Sequence, residues 1–147
     1  MAKPVVITLN VQANRLYGIQ NPTQSDVDNC CSLNDDNNGN SPNGTIESFT
    51  SIVYINNNVK WVGATNDSGY TVAITSIVYE PDSTDVNFFD WQTLNGSGGR
   101  SGNVNANVRN DNNLLNQHDV YTIFFRVYSS GTDFKTYSID PKLAINQ

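Results

Sequence analysis

The chain is short of histidine, methionine, cysteine and positive charge, and each scarcity removes a class of function. Its 8 Lys and Arg stand against 14 Asp and Glu, for a net charge of −6 and a pI near 4.4. No basic patch interrupts this balance, so the surface repels phosphate backbones and anionic lipid. Nucleic acid and membrane surfaces are therefore not expected as partners. Long apolar runs are also missing, and no stretch approaches the ~20 residues of a membrane-spanning helix. Met1 to Leu9 carries one charge and a short apolar run broken by Thr8, with neither the h-region nor the small-residue cleavage site of a secretion signal. A cytoplasmic location is the expectation.

The two cysteines, Cys30 and Cys31, are adjacent. A vicinal disulfide would be strained, and in a cytoplasmic chain one buried and one exposed free thiol is the better expectation. The single imidazole, His118, precedes Asp119. A carboxylate can orient an imidazole for general-base work, which raises a hydrolase as one reading. Neighbours on a strand point to opposite faces, however, and no Ser or Cys sits in an activating context. The expectation is a surface histidine at a strand entrance and no enzymatic activity.

What remains is a chain of 147 residues, 37% hydrophobic, in which Asn supplies roughly one residue in six. That length suits one domain, residues 1–147, able to bury a core unaided. Tyr121, Ile123, Phe125 and Val127 form an apolar row at a spacing of two, the mark of a core strand. Ser129 to Asp133 supplies a reversal, and Phe134 to Ile139 is extended again, which predicts a β-hairpin. Pro141 cannot donate to a ladder, so the last segment is expected at a sheet edge or corner. Val5, Ile7, Leu9 and Val11 predict a first strand. Residues 12–45 are polar and turn-rich, a long loop region that Ile19 and Leu33 would pin to the body.

Ser48 to Ile55, the turn Asn56-Asn57-Asn58, and the strand Val59 to Gly63 predict a second hairpin, with Val59 and Trp61 on one face. In Tyr70 to Tyr79 the apolar phase shifts near Thr75-Ser76, as a β-bulge would make it do. Val104, Ala106 and Val108 alternate as a further strand, and Asn110 to Gln117 reads as a loop or one helical turn. The fold class is all-β: an antiparallel β-sandwich of about seven or eight short strands, cupredoxin- or immunoglobulin-like in architecture.

Three constellations are candidate sites. Asn34-x-Asp36-x-Asn38-Gly39 reproduces the opening of a calcium loop, in which alternating oxygens surround the ion. The twelfth position is Thr45, with Glu47 two residues late, so a plain solvated loop in an Asn-rich chain is the competing reading. Asp82 to Asp85 and Asn110 to Asn113 are clusters of the same kind. Trp91 beside Asp90 would stack on a sugar face among amide and hydroxyl partners, with Asn112 as a further ligand-binding candidate. Against this, Phe89 and Trp91, two apart, would share a buried strand face; that reading is preferred. Trp61 is expected in the core.

The turn followed by Val59-Lys60-Trp61-Val62, the strand Tyr70 to Tyr79 and the closing hairpin together resemble a cupredoxin sandwich. The resemblance implies the fold and excludes its usual copper site, which needs two His, a Cys and usually a Met, because His118 and Met1 are the only residues of their types. Most of the chain also resembles bacterial inclusion-body proteins of the AidA/PixA type. The matching features are Val5 to Val11, Asn21-Pro22, Val59-Lys60-Trp61, Tyr121 to Val127 and Asp140-Pro141; the departure is Tyr137-Ser138-Ile139, where that family has a run of aromatics. This resemblance implies an abundant cytoplasmic protein of no established enzymatic activity, sometimes packed into intracellular inclusions. The short, uncharged strands and the Asn-, Gln- and Ser-rich loops, which can make amide contacts between molecules, point to a non-catalytic protein acting by self-association or ligand binding, with copies of itself as partner. A lectin-like module with a glycan partner, assisted by calcium, is the alternative; no other cofactor is expected.

Overall fold

The apolar row near the C-terminus forms the longest strand, His118–Tyr128, and the rest of its sheet is laid against it. A computed structural model describes residues 3–37, 40–41 (backbone only), 49–80, 86–130 and 133–145. Among them lie eleven strands: β1 (Val5–Val11), β2 (Cys31–Asp35), β3 (Asn40–Ser41), β4 (Thr50–Val53), β5 (Asn58–Ala64), β6 (Thr71–Tyr79), β7 (Thr93–Asn95), β8 (Val104–Asn107), β9 (His118–Tyr128), β10 (Phe134–Ile139) and β11 (Lys142–Ile145). Tyr121, Ile123, Phe125 and Val127 of β9 are at most 1% exposed. Burying side chains of this size contributes about 1.5–3 kcal/mol each, enough to fix which face of β9 turns inward.

The strands form two layers. One sheet runs β3-β2-β1-β5-β8; the other runs β4-β11-β9-β6-β7, with β10 also on β9. The expected all-β sandwich is therefore present, but its sheets are mixed. β1 and β5 pair in parallel, Ile7 opposite Trp61, and so do β11 and β4, Leu143 opposite Ser51. The purely antiparallel expectation fails here because parallel pairing joins segments distant in sequence, and no local turn signal encodes it.

The same cause corrects the second hairpin. Asn56 does turn the chain, with a positive φ of 61°, yet β4 and β5 belong to different sheets. The turn is a crossover between layers. The first hairpin stands: β9 and β10 pair with Phe134 opposite Tyr128. The bulge also stands, as a register shift between Ile74 and Ser76 of β6.

Pro141 interrupts the ladder without ending it. Ile139 lies opposite Ile123 and Lys142 opposite Val120, so β10 and β11 follow one register along β9, and Tyr121 N donates to Pro141 O across the gap at 3.3 Å. β11 then takes β4 on its other side, which places it inside the sheet and not at the expected edge.

The polar stretch 12–45 is more structured than a loop. It holds two short helices, α1 (Ala13–Tyr17) and α2 (Gln24–Asn29), as well as β2 and β3. α2 starts with a capping box: Asp26 N donates to Thr23 Oγ1 and Thr23 N donates to Asp26 Oδ2. Ala13, Leu16, Val27 and Leu33 are buried, and Ile19 packs against them as expected. Gln24 Nε2 donates to Ser138 O, so α2 covers the outer edge of β10. No helix among the described residues is long and apolar enough to cross a membrane.

Candidate functional site

Between β6 and β7 the chain bends and displays one indole to solvent. Phe88 and Phe89 are buried, and Phe89 meets the buried Trp61 edge-on at 5.7 Å between ring centroids. Residues 86–92 form bends and no strand, so the side chains here do not alternate between two sheet faces. The expected shared strand face of Phe89 and Trp91 is therefore absent, and Trp91 is 72% exposed.

Several bonds hold this bend in place. Asn87 brackets it, with Oδ1 accepting from Phe89 N and Nδ2 donating to Trp91 O, each at 3.0 Å. Arg109 donates to Asn87 O from Nε at 3.2 Å and Nη2 at 2.7 Å, and its backbone N donates to Phe88 O. Beneath the bend the buried Asp119 accepts from Phe88 N at 2.9 Å. Charged partners make such bonds strong, and together they fix the backbone that carries Trp91, whose carbonyl is held by Asn87 while its indole extends into solvent.

Trp91 and Asp90 border an open groove of about 540 Å³ between the neighbouring edge strands β7 and β8. Thr93 and Asn95 face outward from β7, on either side of buried Leu94; Asn105 and Asn107 face outward from β8. Asn107 Oδ1 accepts from Asn58 Nδ2 on the neighbouring strand at 3.1 Å. Of the sequence candidates, then, the structure brings Trp91 and Asp90 together. It places Asn112 elsewhere, exposed on the 3₁₀ turn Asn112–Leu114 and outside the groove lining. Thr93, Asn95, Asn105 and Asn107 line the same groove and were not among the sequence candidates. The signal for two of them was present, since the alternation of Val104 and Ala106 puts Asn105 and Asn107 on the outer face.

The calcium candidates occupy the end of β2. Asn34 Oδ1 accepts from Asn10 Nδ2 at 2.7 Å; Asp36 Oδ1 accepts from Val6 N at 2.9 Å, and Asp36 O accepts from Lys3 Nζ at 2.6 Å. Asn38, Thr45, Glu47 and the Asp82 to Asp85 cluster lie outside the described residues. Among the described residues, no three His, Cys, Asp or Glu side chains gather as they would around a metal ion.

His118 is exposed while Asp119 is 1% exposed and engaged with Phe88 N, so the pair points apart, as neighbours on a strand do. Cys30 and Cys31 are free thiols and both are fully buried, which corrects the expectation of one exposed thiol. The chain passes there from the end of α2 into β2, and the change of conformation turns both side chains inward. Burial raises both thiols above the ordinary range, which favours their protonated form.

No protein-family model matches the chain, and no curated protein matches it by sequence. A match comes from solved structures. The crystal structure of an inclusion body protein, PixA, from Burkholderia cenocepacia J2315 is similar over 99% of this chain and 96% of that one, with a TM-score of 0.66 and 8% sequence identity. At that identity the likeness is one of fold. It spans both sheets, so the resemblance read from the sequence has a counterpart in the fold.

Proposed function

We propose that this chain is a non-catalytic, cytoplasmic protein of the inclusion-body type that works by associating with copies of itself. The observation that carries the reading is the fold shared with PixA along nearly the whole length of both chains. The outward-pointing His118 and the inward-pointing Asp119 support a protein without a hydrolytic centre.

The described ends of the sheets favour a particular kind of association. β3 has 2 residues, β7 has 3, and β4 and β8 have 4 each. Edges this short resist open-ended strand pairing, so contacts between copies run through side chains of folded molecules. Asn, Ser and Thr suit that task, because their amides and hydroxyls pair across a contact without the cost of desolvating a charge.

The test is expression to high level, with isolation of any inclusions formed. Inclusions that dissolve on dilution without denaturant, and release protein with the near-ultraviolet circular dichroism of the soluble form, are expected. Inclusions that need denaturant to dissolve, or none at any expression level, would contradict the proposal.

A further inference from the structure

We infer that the groove between β7 and β8 is a binding site for a neutral oligosaccharide, with Trp91 as its stacking platform. This goes beyond self-association and does not depend on it. An indole left 72% exposed forgoes the burial that Phe88 and Phe89 of the same segment, and Trp61, obtain. The backbone that carries it is nevertheless held by the Asn87 bracket, by two donors from Arg109 to Asn87 O and by the buried carboxylate of Asp119 on Phe88 N, so the indole projects from an ordered base. Support of this kind pre-organises a contact surface, so a ligand need not spend binding energy on ordering it.

The residues beside the indole define the ligand class. A pyranose has an apolar face of C–H groups, which stacks on an aromatic ring, and a rim of hydroxyls, each both donor and acceptor. Thr93, Asn95 and Asn105 present hydroxyl and amide groups of matching kind, and Asn107, its Oδ1 taken by Asn58, has its amide N–H groups left to donate. At about 540 Å³ the groove lies within the range of roughly 300–1,000 Å³ found for small-molecule sites. Its lining draws on both β7 and β8 and is open to solvent, which leaves room for linked rings to extend beyond the one stacked on Trp91. Asp90 in the lining and the net charge of −6 disfavour uronic, sialic or sulfated sugars. Lys60 lies opposite Asn105 in the β5–β8 ladder but does not line the groove.

The two tryptophans make the test internal to the protein, since Trp61 is 1% exposed and Trp91 is 72% exposed. The labelled chain is applied to an array of neutral glycans, and the best binder is titrated into dilute protein while emission and acrylamide quenching are followed. A shift in emission and loss of the quenchable component are expected, with no response to trigalacturonate. By calorimetry, Trp91→Ala should weaken binding about tenfold or more. Asn105→Ala, on an exposed strand face, should weaken it by a smaller factor with an unchanged unfolding midpoint. A blank array, undiminished binding by Trp91→Ala, or preference for trigalacturonate overturns the inference. So does protection of Trp91 that grows with protein concentration in the absence of sugar, which would assign the groove to contacts between copies.

Discussion

Trp61 Nε1 donates to the Tyr121 hydroxyl at 3.1 Å, joining β5 of one sheet to β9 of the other in the middle of the core. Both side chains are 1% exposed, and the rings also meet edge-on, with centroids 5.7 Å apart. Each ring brings a polar group into the core, and each is the other's partner there. Tyr121→Phe leaves the indole N–H without that acceptor, at an expected cost of about 1–3 kcal/mol. Urea unfolding checks this: the midpoint should fall with the slope unchanged. An unchanged midpoint would mean that another acceptor takes the indole proton.

Stability should decline in alkali. Burial raises Cys30, Cys31 and Tyr121 above their ordinary ranges and pushes Tyr137 up to about 12. Each group keeps its proton in the fold at pH values where the unfolded chain has lost it. The unfolded state then binds fewer protons, and unfolding free energy falls as pH rises. The decline should begin near the ordinary thiol value of about 8.5 and steepen past the ordinary phenol value of about 10. Thermal midpoints across that window measure it, and replacing both cysteines by Ala should move the onset towards the phenol range. A flat profile between about pH 7 and 10 would contradict the burial of these groups.

Gly63 lies where β5 passes β6. A Cβ placed there would sit 2.6 Å from Val72 Cγ1 and 2.7 Å from Val72 O. One of these atoms is backbone, so a rotamer change cannot relieve the contact. Gly63→Ala should destabilise by about 1–3 kcal/mol, the usual cost of overpacking. Adding Val72→Ala removes only the side-chain clash and should not restore the wild-type midpoint in denaturant titrations. A neutral Gly63→Ala would show that the layers can separate at this point.

Much of the frame was legible in the alternation of residues. β1, β5 and β9 carry period-two apolar rows, β10 was read as the extended return after a reversal, and the phase shift at Thr75-Ser76 located the bulge in β6. Pairing was less legible, because Asn56 specifies a reversal but not the sheet the chain enters next. The helices of 12–45 were short enough to hide among polar residues, although Thr23-Gln24-Ser25-Asp26 carries the spacing of a capping box. At the site, the spacing of Phe89 and Trp91 suggested a strand face, whereas the bonds from Arg109 and Asp119 impose a bend. Those contacts reach across more than twenty residues and were not legible locally, whereas the Asn87 bracket, two and four residues away, was a local signal that the sequence reading did not use.

Self-association of folded copies is tested most directly by sedimentation velocity over a wide range of protein concentration in native buffer. The weight-average sedimentation coefficient should rise with concentration and return on dilution, with circular dichroism unchanged throughout. A constant monomer value up to the highest soluble concentration would contradict the proposed function.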